Sequence, residues 1–147
     1  MRTRTLLFLG FVMLLAGCGK VSSDFRKAGV AARDEIVNFR DAKFGSQSDI
    51  EQHRDAIKPK LEVVTAATKS EREHSAESVL VNFYVQVSVL KEAQMLPPSP
   101  ASEQEVSRLT AHAEQCLKEY DALVGKTSDS ANENGPCLKE AKAAAER

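Results

Sequence analysis

Residues 78–90 read Ser-Val-Leu-Val-Asn-Phe-Tyr-Val-Gln-Val-Ser-Val-Leu, and this uncharged stretch decides the fold class. Every second residue from Val79 to Val89 is apolar, a pattern typical of a strand with one buried face. A helix also fits, because four polar residues would then form one narrow stripe on an apolar cylinder. These four residues are Ser75, Ser78, Asn82 and Gln86.

The remainder of the chain favours the helix. No second segment has a convincing strand pattern, and a lone strand would leave its backbone N–H and C=O groups without partners. Glycine occurs only seven times in the chain, which is too few turn residues for a β-sandwich or barrel. We therefore predict a central buried helix and an all-α fold, with a strand over residues 79–90 as the alternative. The stretch is also shorter than the ~20 residues that span a bilayer as a helix.

Two helices are predicted before this central one. The first covers residues 24–44, where apolar residues recur at spacings of three and four, and Gly45 is its natural end. The second begins at a capping box of Ser48 and Glu51, whose side chains can each accept the other residue's exposed N–H. Pro59 interrupts the second helix and predicts a kink or a break close to it, because proline lacks the N–H that a helix interior needs.

Two further capping boxes predict the starts of the third and fourth helices. They consist of Ser70 with Glu73 and of Ser102 with Glu105. A helix that runs without interruption through residues 69–74 is the alternative to the first of them. The fourth helix has an apolar stripe at steps of three and four, which consists of Val106, Leu109, Ala113, Cys116, Tyr120 and Leu123. Gly125 is expected to end this helix in the left-handed conformation. A short fifth helix can begin at Gly135 and Pro136, since proline is tolerated in the first helical position. The sequence thus predicts one compact bundle of four or five helices over residues 24–147.

The N-terminus has the parts of a secretory signal. Arg2 and Arg4 form a basic region, and residues 6–15 form an uncharged apolar segment. That length lies within the ~7–15 residues of a signal peptide and below the ~20 of a membrane-spanning helix. The sequence that follows, Leu15-Ala16-Gly17-Cys18, resembles the lipobox of bacterial lipoproteins.

This resemblance implies cleavage between Gly17 and Cys18 and attachment of a diacylglyceryl group to the Cys18 thiol. Residues 1–17 would be removed as the signal peptide, and residues 18–23 would form the acylated cysteine and a short tether. Several acyl chains make a stable membrane anchor, whereas one gives only marginal binding. Gly19, in place of aspartate, implies sorting to the outer membrane in an enterobacterial-type host, with the domain facing the periplasm. An ordinary secretory signal or an uncleaved membrane helix is the alternative.

Two cysteines remain after the anchor is assigned. In an extracytoplasmic domain, Cys116 and Cys137 most simply form one disulfide, which would attach the last helix to the fourth. A metal-binding thiol is the alternative, because His112 and Cys116 share a helix face, with Glu105 and Glu119 within about two turns. No paired-ligand motif such as HExxH or CxxC accompanies them. The disulfide is therefore the preferred prediction, and no metal site is assigned.

Composition limits the function classes. The formal net charge is −1, and it becomes −3 when the signal peptide with its two arginines is removed, so no basic excess supports nucleic-acid binding. Tryptophan is absent and aromatic residues make up only 5% of the chain, which weakens a carbohydrate or aromatic-ligand site. No nucleophile-elbow, phosphate-loop or dinucleotide motif occurs. We expect a non-enzymatic protein without a cofactor.

The central helix carries the candidate binding residues. Its apolar surface could line a groove for a partner's amphipathic helix. The proposed groove residues are Val79, Phe83, Tyr84, Val87 and Leu90. The leading hypothesis is a lipid-anchored adaptor or scaffold that binds another envelope protein. A carrier of an apolar ligand or lipid is the second hypothesis, and a metal-handling protein is the third.

Overall fold

The computed structural model describes residues 20–125 and 135–146, which form five α-helices and no strand. The helices are α1 (Ser23–Asp41), α2 (Gln47–Ala67), α3 (Glu71–Gln94), α4 (Pro100–Val124) and α5 (Pro136–Ala145). The all-α prediction is confirmed, and the strand alternative for residues 79–90 is wrong. None of the described helices has the length and apolar character needed to cross a membrane. The predicted cleavage site, Gly17 and Cys18, lies outside the described residues.

Helix α3 is the centre of the bundle, and it packs against each of the other four helices. Short connections join α1 to α2, α2 to α3 and α3 to α4, so that these helices run in alternating directions. Because α3 has neighbouring helices around most of its circumference, most of its surface is buried. This explains why its sequence shows little of the one-sided apolar pattern seen in a surface helix.

The apolar stripes predicted for the outer helices form the core. Helix α1 buries Phe25, Ala32, Ile36 and Phe39, and α4 buries Leu109, Ala113, Cys116, Tyr120 and Leu123. These stripes were recognisable because each helix faces the bundle on one side only. The central helix completes the core with further fully buried side chains. These include Val79, Leu80, Phe83 and Val87.

Two predicted helix starts are wrong by two or three residues. Helix α2 begins after Ser46, whose Oγ accepts the N–H of Asp49 at 3.2 Å, and not after Ser48. Helix α4 begins after Ser99, which forms its capping box with Ser102. In each case the helix uses the earlier of two available serines. The earlier start adds backbone hydrogen bonds to the helix. The spacing of a capping motif gives no information about this gain, so it cannot distinguish the two serines.

Of the kink or break expected near Pro59, the break does not occur, and the left-handed end expected for α4 is wrong. Helix α2 continues through Pro59 without a break, because Pro59 and Asp55 are both exposed. Water can therefore satisfy the Asp55 carbonyl that has lost its N–H partner. Gly125 ends α4 in an extended conformation, with φ −62° and ψ 160°. Its N–H still donates to the Asp121 carbonyl at 2.9 Å, so the helix end needs no left-handed residue.

Helices α1 and α4 approach closely at Gly29. A Cβ atom at this position would lie 2.1 Å from Oη and 3.4 Å from Cζ of Tyr120. The Tyr120 side chain is buried, and its hydroxyl has no hydrogen-bond partner among the described residues. Glycine is therefore needed here for space and not for a special backbone conformation.

Gly29→Ala is expected to lower the free energy of unfolding by about 1–3 kcal/mol, the usual cost of overpacking a core. This loss opposes alanine's higher helix propensity. The double variant Gly29→Ala/Tyr120→Phe removes the clashing hydroxyl and should recover most of the lost stability. Urea unfolding of the parent, both single variants and the double variant gives the coupling between the two sites. Additive effects of the two substitutions would contradict this close approach.

Candidate binding surface

The groove predicted on α3 is not open to solvent. Val79, Phe83 and Val87 are fully buried and Leu90 is 2% exposed, while Tyr84 is half-buried. The apolar residues of this set therefore belong to the hydrophobic core and cannot contact a partner. The groove prediction is therefore wrong for these apolar residues, because the four helices that pack around α3 cover them.

A different face of α3 is apolar and exposed. Val81, Val85 and Val89 have exposed fractions of 40%, 45% and 41%. They lie four residues apart and therefore form one row about 12 Å long on the helix surface. We call these three residues the valine row. They belong to the same alternating pattern as the core residues, but the helix turns them towards solvent.

Helix α5 forms the second wall of this surface. An open groove of about 470 Å³ runs between α3 and α5. Its apolar lining consists of Val81, Val85, Ala141, Ala144 and Ala145. The small alanine side chains leave space beside the valines, so the groove can accept larger apolar side chains. We call it the α3–α5 groove.

The disulfide predicted from the cysteine count holds α5 in place. The Cys116 and Cys137 sulfur atoms are bonded at 2.06 Å, and both residues are fully buried. Asn82 of α3 adds a second connection, since its Nδ2 donates to the Cys137 carbonyl at 3.1 Å. The start of α5 is thus attached to both α4 and α3.

Glu119 supplies a further attachment that the sequence analysis missed. Its two carboxylate oxygens accept the N–H groups of Cys137 and Leu138, each at 3.2 Å. These N–H groups lie in the first turn of α5, where a helix favours a negative charge. Gly135 makes the contact possible, because a Cβ atom there would lie 2.3 Å from the Glu119 carboxylate. No signal in the sequence related Glu119 to a helix start sixteen or more residues later.

One feature of the structure is compatible with the alternative of a metal site. The ligand atoms of His112, Cys116 and Cys137 all lie within 4.8 Å of one another. Both sulfur atoms, however, are joined in the disulfide, and a metal needs thiolate ligands. His112 Nε2 instead lies 2.7 Å from Oε2 of Glu140. Metal binding by this cluster would therefore require a reduced protein.

The two carboxylates suggested as additional metal ligands have other partners. Glu105 binds the Arg108 guanidinium through two hydrogen bonds of 2.8 and 2.6 Å on the surface of α4. Glu119 accepts the N–H groups of α5, as described above. The described residues therefore offer no carboxylate from this pair to the histidine–cysteine cluster.

Val21 and Ser22, in the second half of the predicted tether, are bound to the helical domain. Ser22 donates its N–H to Oε1 of Glu73 at 2.7 Å, and Val21 packs into the core with 8% exposure. Oε2 of Glu73 accepts the N–H groups of Lys69 and Ser70 at 2.8 and 3.0 Å. The predicted capping box of Ser70 and Glu73 is thus confirmed. We call the three bonds to this carboxylate the Glu73 clasp.

The clasp favours the charged form of Glu73. Burial raises the pKa of the Glu73 carboxyl, but the hydrogen bonds from Ser22, Lys69 and Ser70 together lower it, to about 2. The Glu73 carboxylate therefore stays charged at physiological pH. The spacing of the capping box predicted the bonds within the corner, whereas nothing in the sequence predicted the bond to Ser22, 51 residues away.

Comparison with protein-family models, with curated proteins and with solved structures found no match for this chain. Its function is therefore inferred from its own surfaces. Three features are available for this purpose: the valine row with the α3–α5 groove, the disulfide-held α5, and the bound tether.

Proposed function

We propose that the mature chain is a non-enzymatic adaptor of the bacterial cell envelope, anchored to the outer membrane by acyl chains on Cys18. In this proposal the domain faces the periplasm and binds another envelope protein through the valine row and the α3–α5 groove. The observation that carries the proposal is the exposure of three valines in one row on the central helix.

Such a row is more than the usual scatter of exposed apolar residues. Single exposed apolar side chains are normal on a protein surface, whereas contiguous apolar patches mark interaction sites. Valine is also stiff at χ1, so a partner that packs on these side chains loses little of their conformational freedom. The row therefore provides a surface that is already ordered before binding.

The dimensions suit an amphipathic helix as the ligand. The valine row covers about two helical turns, and the groove beside it can receive the apolar side chains that such a helix presents at intervals of three and four residues. Polar residues rim the groove, since Glu77, Ser78 and Asn82 also line it. A free lipid, in contrast, is better accommodated by an enclosed apolar cavity. The open groove thus favours the adaptor over the carrier.

Val85→Glu is expected to weaken partner binding at least tenfold, because it places a charge in the centre of the apolar surface. The free energy of unfolding should change by no more than about 0.5 kcal/mol, since the site is solvent-exposed. Val63→Glu is the matched control. Val63 is 57% exposed on the outer face of α2, away from the groove.

The test is site-specific photocrosslinking in intact cells, with a photoreactive residue at position 89 or 63, followed by mass spectrometry. A defined envelope protein should be crosslinked from position 89 but not from position 63, and Val85→Glu should abolish that crosslink. Equal crosslinking from both positions would refute this binding surface. Recovery of a lipid that is lost from the Val85→Glu variant would replace the adaptor by the carrier.

A further inference from the structure

One end of the bundle lies next to the attachment point of the tether. The alternating directions of the helices bring together the start of α1, the end of α2, the start of α3 and the end of α4. Two long-range hydrogen bonds connect these segments. Ser22 N–H donates to Glu73, and Arg72 Nε donates to the Leu123 carbonyl at 2.8 Å. We call this region, with the corner at residues 68–70, the tether end.

The folded body of the protein begins at Val21. The Val21 side chain is in the core, and the next residue is held by the Glu73 clasp. Only residues 19 and 20 separate Cys18 from this fixed point. Because an extended chain covers at most ~3.6 Å per residue, the Cα atom of Cys18 lies within about 11 Å of that of Val21. If both the Ser22 bond and the burial of Val21 were lost, the free segment would reach to Ser23 and lengthen to about 18 Å.

This reach is short compared with the bundle. Helix α3 has 24 residues, so the corner at its other end, residues 95–99, lies about 36 Å from the tether end. The tether end also presents polar groups to solvent, since Lys20, Lys69 and Ser70 are exposed. Such groups are compatible with the polar headgroup layer, in which an acylated Cys18 would be located.

We infer that the tether end is a lipid-contact surface and that the Glu73 clasp holds the bundle upright on the membrane. This inference rests on the acyl anchor at Cys18 that is part of the proposed function. The valine row follows the axis of α3, and so it extends away from the membrane and faces sideways. A partner would then dock beside the bundle in the periplasm and not within the bilayer.

The clasp is suited to this role because the two carboxylate oxygens of Glu73 bind different segments of the chain. Oε2 completes the cap of α3 by binding the N–H groups of the corner. Oε1 is left to bind Ser22, and this bond, together with the burial of Val21, shortens the tether. The Ser70 hydroxyl, by contrast, accepts only the N–H of Glu73, at 3.2 Å, and does not contact the tether. Ser70→Ala is therefore a matched control for Glu73→Ala, since it weakens the same cap and leaves the Ser22 bond in place.

The test uses the acylated mature protein in vesicles of phosphatidylethanolamine and phosphatidylglycerol. A fluorescent amino acid is placed at residue 69 or at residue 96, and lipids with nitroxide headgroups serve as short-range quenchers. We expect strong quenching at residue 69 and almost none at residue 96, which is at the far end and 59% exposed. In Glu73→Ala this difference should fall severalfold, whereas Ser70→Ala should keep it.

Amide hydrogen exchange measures the clasp independently of the membrane. The Ser22 N–H should exchange about tenfold faster in Glu73→Ala than in the parent, as expected for the loss of one hydrogen bond to a charged group. Ser70→Ala should leave the Ser22 rate close to that of the parent. Circular dichroism checks that both variants are folded.

The outcomes distinguish a failure of the upright orientation from a failure of the proposed anchor and adaptor function. Mass spectrometry that finds no diacylglyceryl group on Cys18 would overturn the anchor, and with it both proposals. An acylated protein quenched equally at residues 69 and 96 would overturn the upright orientation and leave the adaptor function standing. Unchanged quenching in Glu73→Ala, despite faster Ser22 exchange, would show that the clasp does not orient the bundle.

Discussion

Phe83→Ala is expected to lower the free energy of unfolding by about 3–5 kcal/mol, the range measured when a buried phenylalanine is truncated. Phe83 is fully buried near the middle of α3, the helix that contacts all four others. The substitution removes apolar contacts and leaves a cavity that the surrounding helices can fill only in part. Helix propensity works in the opposite direction, because alanine is the better helix former.

Urea unfolding followed by circular dichroism measures this effect. Val85→Ala, two residues further along the same helix, is the control, and it should change stability by less than about 0.5 kcal/mol because Val85 is exposed. Equal and small effects at both positions would mean that Phe83 lies in an open groove and not in the core. A large effect at Phe83 alone agrees with its place in the core.

Removal of the disulfide is the second substitution with a large expected effect. Cys116 and Cys137 are 21 residues apart, and opening a loop of this size costs about 3 kcal/mol in the chain-entropy model. The variant Cys116→Ala/Cys137→Ala should therefore unfold at clearly lower urea concentration than the parent. Because α5 forms one wall of the α3–α5 groove, the crosslink from position 89 should weaken as well.

Glu119→Ala provides the comparison, because it removes another attachment of α5 and keeps the disulfide. It should cost less, about 1–3 kcal/mol, as expected when buried N–H groups lose their partner. If the double cysteine variant is as stable as the parent, the disulfide does not stabilise this fold. Adding Co²⁺ to the reduced parent tests the metal hypothesis, since thiolate–cobalt absorption bands would arise only from a site that includes Cys116 and Cys137.

The predictions from sequence succeeded where one local rule determined the outcome. The stripes of α1 and α4 followed from residue spacing, because each helix buries a single face. The capping box of Ser70 and Glu73 followed from a three-residue interval, and the disulfide followed from the number of cysteines and the expected compartment. At α2 and α4 the same capping rule chose the wrong serine, since two candidates lay within a few residues of each other.

The candidate binding surface could not be predicted in this way. In residues 78–90 nearly every position is apolar or small, so the sequence does not distinguish a core valine from an exposed one. Val79 and Val87 are buried, whereas Val81 and Val85 are exposed, because the position of the neighbouring helices decides which side of α3 is covered. The pattern identified the central helix, but most of the residues that it suggested for a groove are buried in the core.

By itself, the sequence determined the fold class, a bundle of four or five helices and the cysteine pair that joins α4 to α5, because these depend on short-range spacing and on composition. Only the tertiary structure decided which valines face solvent, where α5 forms a groove, and how the tether is held. Each of these depends on residues far apart in the chain, as with Ser22 and Glu73. A contact across 51 residues has no periodicity or motif, and it exists only because the packing of the helices places its two partners side by side.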